Sequence, residues 1–259
     1  MAIDFELNNE GIAVITINRP ERMNAMDEEH YRGLSNAWTR VRDDDDIRVA
    51  IITGAGDKSF TSGADIKTYL TKARPWSDVW RTQVDQLLNR GLEVWKPVIS
   101  AINGYCLGGG VTLMLATDIR VACESATFSV SEVKRGVIAA NGGTQRIISQ
   151  LPYPIAMEML LTGDGISAQT AERWGLINKV VPTSADVLPA AMEYARRIAV
   201  NAPLAVQASK ELALRSRDVP LAVGLRFEQL IGKLLTQTDD SREGAAAFSE
   251  KRPPHFKSR

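Results

Sequence analysis

Two glycine-containing stretches could do chemistry with the backbone itself. The first is Phe60-Thr61-Ser62-Gly63-Ala64-Asp65-Ile66-Lys67, and the second is Asn103-Gly104-Tyr105-Cys106-Leu107-Gly108-Gly109-Gly110. Three consecutive glycines leave the chain bare, so a ligand can approach the N–H groups directly. The apolar stretch Val111 to Ala116 that follows reads as a buried helix. The N–H groups of its first turn have no partner inside the helix and carry partial positive charge. Such an end suits the negative oxygen that develops when a carbonyl is attacked or enolised. The same glycines also suit close packing of helix on sheet, and the residue types alone leave both readings open.

Other patterns resolve to simpler structure. Thr53-Gly54-Ala55-Gly56-Asp57-Lys58-Ser59 resembles a phosphate-binding loop, but Asp57 stands where glycine must precede the lysine and would repel a phosphate. A dinucleotide fingerprint fails on Ser59, which occupies the third glycine position. The run Asp43 to Asp46 reads as a solvated loop rather than a metal site. The histidines, His30 in a polar helix and His255 in the tail, offer no base for a hydrolase triad. Cys106 and Cys123 form no CxxC pair, which argues against zinc and leaves them as small buried residues. No metal is expected.

These stretches need a scaffold. Phe5 and Leu7, the turn Asn8 to Gly11, and Ile12 to Ile17 read as a β-hairpin that Pro20 ends. A polar helix is predicted from about Asp27 to Asp43, with Asp27 as its N-cap. Buried strands are predicted at Val49 to Ile52 and Val98 to Ile102, each leading into one glycine stretch. Ile119 to Ala122, Thr127 to Val130 and a last strand at Val180-Val181-Pro182 complete an alternation of strands and helices that implies a mainly parallel sheet. From Asp186 the apolar residues recur at helical spacing, so a helical region follows the α/β core from about residue 200.

The chain has 259 residues, 44% hydrophobic and 24% charged, enough for a sizeable core. Lys plus Arg is 31 and Asp plus Glu is 31, so no basic field exists to gather nucleic acid or an anionic membrane. The opening MAIDFELNNEG is acidic where a signal peptide would be apolar, and no apolar run approaches a membrane span. A cytoplasmic protein is expected.

The blocks NRPERMNAM, ITGAGDKSFTSGADIK, KPVISAINGYCLGGG, ATFSVSEVKRGV, GGTQR, AMEMLLTG, AERWGLINKVVP and EGAAAFSEKR run through nearly the whole chain. In order and spacing they resemble the crotonase superfamily, the enoyl-CoA hydratase/isomerase family. The resemblance implies an α/β fold of the crotonase (ClpP-like) type. Stacked ββα units over 1–199 would carry an acyl-CoA site, and a helical region over 200–259 would serve assembly and site capping. It implies homotrimers or paired trimers (hexamers), and no cofactor beyond the coenzyme A of the substrate. By position, Ala64 and Gly109 match the oxyanion-hole donors. Ala64, Asp65, Ile66 and Lys67 match a wall of the CoA site, and Arg22 and Met23 match its entrance. Phe248 and Lys251 match tail residues that reach the CoA of a neighbouring subunit.

Family hydratases carry two glutamates. The resemblance places the second at Glu132, while Thr112 stands where the first would be. Two carboxylates divide the work of activating water and protonating the α-carbon. Thr112 can hydrogen-bond but cannot titrate near neutrality. One carboxylate still suffices for moving a double bond, or for a hydration that Glu132 supports alone. Glu132 also suits the first turn of a helix capped by Ser129 or Ser131. Ala139-Ala140 replaces the Pro-Gly pair common in relatives, and Asn141 either faces the acyl group or serves as a turn residue before glycine. Trp76 and Trp80 fall in the segment that shapes the acyl pocket in relatives. The readings that remain are a hydratase or isomerase, a hydratase-lyase acting on an aromatic acyl-CoA, and a non-catalytic acyl-CoA-binding protein.

Overall fold

The structure, a computed structural model, describes residues 2–70 and 86–259. Trp76 and Trp80 lie outside the described residues. Two short strands open the chain as expected, β1 (Ile3–Leu7) antiparallel to β2 (Ile12–Ile17). The hairpin turn is held by Asn8, whose Oδ1 accepts from Glu10 N and Ile12 N. Helix α1 (Glu28–Asp43) begins at Asp27, whose carboxylate accepts from Glu29 N and His30 N and satisfies two first-turn donors. Its buried face is Leu34, Trp38 and Val41. Strand β3 (Val49–Gly54) is wholly buried, as its unbroken apolar run requires of a parallel strand covered on both faces.

A second layer of short strands runs beside the first. Strand β4 (Ser59–Thr61) follows β3, and β6 (Tyr105–Leu107) follows β5 (Val98–Ile102). Likewise β8 (Thr127–Ser129) follows β7 (Ile119–Cys123). Strands β9 (Gly165–Ser167) and β10 (Lys179–Val181) complete the set. The larger sheet is six-stranded in the order β1-β2-β3-β5-β7-β10, parallel from β2 onward. The smaller one is four-stranded, β4-β6-β8-β9, with β4, β6 and β8 mutually parallel and β9 antiparallel. The sequence reading found the large sheet and Val180-Val181, extended β8 to Val130, and did not anticipate the small sheet.

Helices cover both sheets. Helix α2 (Gly109–Met114) packs on β4 and β6, α5 (Ala168–Arg173) packs on β8 and β9, and α3 (Gly143–Gln150) lies between α2 and α4 (Tyr153–Thr162). Helix α6 (Ser184–Ala199) lies against β3, β5 and β7, burying Val187, Ala191 and Ala195. The chain then becomes helical, through α7 (Pro203–Arg215), α8 (Leu221–Leu235) and α9 (Asp239–Glu250). Lys210 of α7 reaches Asp118 at 2.7 Å, and Arg48 donates to Ala199 O and Phe256 O, so the helical region is tied to the core. No helix among the described residues is long and apolar enough to cross a membrane.

Candidate active site

Strands β4, β6 and β8 are adjacent and parallel, so their carboxyl ends lie side by side. Ligands in α/β sheets collect at such ends. Here the ends lead directly into Ser62-Gly63-Ala64, Gly108-Gly109 and Ser131-Glu132. They converge on a cavity of about 740 Å³, within the range that holds small ligands. Larger grooves of about 1260 and 980 Å³ lie against the C-terminal tail and beneath α7, away from the glycine-rich segments.

Local pairing frees the Ala64 amide. Met26 forms a parallel bridge opposite Ala64, in which Met26 N donates to Gly63 O and Asp65 N donates to Met26 O, each at 2.8 Å. A parallel ladder bonds the residues on either side of the bridged one, so Ala64's own N–H faces the other way. Gly109 is the first residue of α2, where helical N–H groups have no internal acceptor. The two segments touch: a Cβ built on Gly63 would lie 2.8 Å from Gly109 N, and one built on Gly109 would lie 3.5 Å from Ala64 N. Gly108, at φ 52 and ψ −116, adopts a conformation that side chains forbid, and this turns the chain from β6 into α2.

Glu132 lies in a short 3-10 helix, Ser131–Arg135, with no side-chain cap. Ser129 Oγ donates instead to Gly163 O, and Ser131 Oγ accepts from Arg135, so neither serine caps the turn. The Glu132 carboxylate packs against Gly108, whose built Cβ would meet Oε1 at 3.3 Å. Its Oε2 is buried and has no hydrogen-bond partner among the described residues. Burial raises the carboxyl above its ordinary value, outweighing its own backbone N–H and Arg135, which pull it down.

The cavity lining brings together Arg22, Ala64, Asp65, Ile66, Lys67, Gly109, Thr112, Glu132 and Asn141, all singled out in the sequence. Asp65 is committed: its carboxylate pairs with Arg19 at 2.9 Å, and Arg19 also reaches Asp27 at 3.3 Å. Thr112 is buried, its hydroxyl 3.4 Å from Gly108 O and close to Gly143. Asn141 is both things the sequence allowed, a left-handed turn residue at φ 55 before Gly142 and part of the cavity wall. Met23 is half-buried outside the lining, its carbonyl accepting from Ser59 Oγ and Ser62 N. Phe248, 86% exposed, and Lys251 stand apart from the cavity of their own chain. Sequence reasoning missed Arg19, Tyr31, Arg135, Val137 and Ile138 in the lining. A cation three residues after Glu132 in a turn of the same helix was the available signal for Arg135.

Comparison with known proteins identifies the family. The family described as Enoyl-CoA hydratase/isomerase matches residues 7–259. The chain is 42% identical to the (E)-benzylidenesuccinyl-CoA hydratase of Thauera aromatica, over 99% of each chain. It is 38% identical to the carnitinyl-CoA dehydratase of Salmonella paratyphi A, over the whole of both. The crystal structure of an enoyl-CoA hydratase from Mycobacterium tuberculosis H37Rv superposes with a TM-score of 0.92 at 35% identity, covering 100% of this chain and 99% of that one. With coverage this complete in sequence and in fold, the chain is an enzyme of the enoyl-CoA hydratase/isomerase family.

Proposed function

We propose that the protein adds water reversibly across the α,β-double bond of an enoyl-CoA thioester, with Glu132 as the single group that moves the proton. The observation that carries this reading is the Glu132 carboxylate, buried with an unpartnered Oε2 in the cavity that also holds the amides of Ala64 and Gly109. Asp65, the other carboxylate of the lining, is held by Arg19. The thioester oxygen accepts from Ala64 N–H and Gly109 N–H, which draws electron density from the β-carbon. Water held by Glu132 bonds to that carbon through oxygen and gives its proton to the carboxylate. The resulting enolate rests on the two amides, and Glu132 then hands the proton to the α-carbon. One water has been added, and the carboxylate is ionised again.

The relatives named for hydration and dehydration support this over isomerisation. A double-bond shift remains the second reading, because a lone carboxylate can also carry a proton from the α- to the γ-carbon. The mechanism needs no cofactor beyond the coenzyme A of the substrate. Arg22 and Lys67 at the Ala64 side suit the phosphates of that group. Val137 and Ile138 suit an apolar substituent, alkyl or aryl, on the acyl chain. Cys106 and Cys123 are buried free thiols, as suits the cytoplasm.

Assembly as a homotrimer or hexamer belongs to this reading. Helix α8 buries none of its residues and exposes Leu221, Leu225, Phe227, Leu230 and Leu234. Apolar surface of that extent marks a face that another subunit covers. Light scattering at the mass of a trimer or hexamer supports it, and a monomer refutes it.

The test of the chemistry uses crotonyl-CoA, whose conjugated absorbance falls on hydration, and a 3-enoyl-CoA, whose absorbance rises on isomerisation. Glu132→Gln is expected to lower turnover by about 10²–10⁴ while CoA affinity is kept. An undiminished rate removes Glu132 from the mechanism. Tight acyl-CoA binding with no turnover of either thioester leaves the protein a carrier.

A further inference from the structure

The Glu132 turn presents a second, uncommitted ionic group to the cavity. In a 3-10 helix residues three apart eclipse one another, so Arg135 projects on the same side as Glu132. It lines the cavity together with Glu132, Val137 and Ile138. Its neighbour Lys134 is neutralised by Asp164 at 2.5 Å. Arg135 instead donates through Nη1 to Ser131 O at 3.1 Å and Ser131 Oγ at 3.2 Å, and it has no ion pair among the described residues. Those bonds use one corner of the guanidinium and leave the rest of the fork open.

The position separates this cation from the others. Arg22 and Lys67 come from the two segments joined at the Met26–Ala64 bridge, the Ala64 wall of the cavity. Arg135 belongs to the Glu132 segment of the lining, and in the hydration proposed above the acyl chain passes that carboxylate at its reacting carbons. A hydrocarbon acyl chain gives nothing to a guanidinium there. Arg135 is itself exposed at the cavity wall, and its planar fork matches a carboxylate with two parallel hydrogen bonds. We infer, resting on the enoyl-thioester reading above, that the acyl group carries a carboxylate, and that Arg135 binds it. The substrate is then the monothioester of an unsaturated dicarboxylic acid, and Arg135 is a specificity-determining residue.

The test sets (E)-glutaconyl-CoA against 5-methylhex-2-enoyl-CoA, in which an isopropyl group replaces the carboxylate. The corresponding saturated thioesters, glutaryl-CoA and 5-methylhexanoyl-CoA, are titrated for binding. The wild type should favour the carboxylated thioester in both kcat/KM and Kd. Arg135→Leu should shrink that preference by about tenfold or more, chiefly through KM and Kd, and Arg135→Lys should keep part of it. The inference is overturned if the wild type shows no preference, or if Arg135→Leu weakens both members of each pair equally. The binding arm separates the two readings. An Arg135-dependent preference for glutaryl-CoA in an enzyme that hydrates neither enoyl thioester upholds this inference and removes hydration.

Discussion

Gly63→Ala probes the proposed oxyanion site without replacing either amide donor or any group that titrates. Gly63 sits at φ 89, and its built Cβ lies 2.8 Å from both Gly109 N and Leu107 O. Side chains tolerate that φ at a cost of about 1–3 kcal/mol. The contacts are shorter than carbon atoms accept, and both are to backbone, so the loop and the start of α2 must part by about 0.5 Å. That motion separates the Ala64 and Gly109 amides, the two donors that share one oxygen in the proposed mechanism. Losing one donor's alignment costs about 10²–10³ in kcat, or about 3–4 kcal/mol. Gly109→Ala is the control, since its Cβ meets its neighbours at 3.5 Å or more in a helical position. The assay is kcat and KM on the enoyl-CoA that the wild type turns over, below the melting point of each variant. The expected result is a fall of about 100-fold or more in kcat for Gly63→Ala, with KM within a fewfold. A variant with a lowered melting temperature and full kcat refutes the reasoning, because the amides would then have separated without consequence.

Two further outcomes follow from single residues. Burial raises the folded-state pKa of Glu132 above the 4.5 of the unfolded chain. Between those values the native state keeps a proton that the unfolded state has lost, so this group makes stability fall as pH rises, and its cost is absent below the unfolded value. Glu132→Gln should therefore raise the melting temperature near pH 7–8, with the gain fading by about pH 4; a gain that is the same at every pH contradicts a buried, ionised carboxylate. Asn24 is fully buried at φ 55, its Oδ1 accepting from Arg19 N and its Nδ2 donating to Ala55 O and Ser59 O. Asn24→Ala strands those three groups and should cost about 3–5 kcal/mol in urea unfolding, and a loss under about 1 kcal/mol would show that water replaces the side chain.

The larger sheet was legible because its strands are written in long apolar runs. Val49 to Ile52 and Val98 to Ile102 are buried on both faces and read as such. Helix α1 announced itself through its cap, Asp27, but the sequence reading took it as polar and missed the buried face of Leu34, Trp38 and Val41. The small sheet left no such trace. Strands β4, β6 and β9 are three residues long, too short for any period to show, and Tyr105-Cys106-Leu107 looked like part of a glycine loop. They are strands because neighbours pair with them: Cys106 opposite Phe128, and Phe128 opposite Ile166, across long stretches of chain. Pairing of that kind is a property of the folded chain, not of a window.

The same distinction runs through the site. Ala64, Gly109 and Glu132 were found by their places in motifs, and residue chemistry alone left the glycines divided between packing and catalysis. The structure shows the packing, and the catalytic reading stands on it as a proposal. Gly63 is where two segments pack to 2.8 Å, and that closeness is what sets the Ala64 and Gly109 amides side by side. Arg19 and Arg135 were missed for opposite reasons. Arg19 meets Asp65 across 46 residues, a separation no local pattern encodes. Arg135 is only three residues from Glu132, but it shares its face through a 3-10 turn that the sequence does not distinguish from an α-helix. Thr112 makes that turn decisive. With no second carboxylate on α2, the hydration proposed above leaves one carboxyl group both to accept and to return the proton. Burial of Glu132 against Gly108 raises its pKa and makes its carboxylate a stronger base toward water, so in that proposal the packing also serves the chemistry.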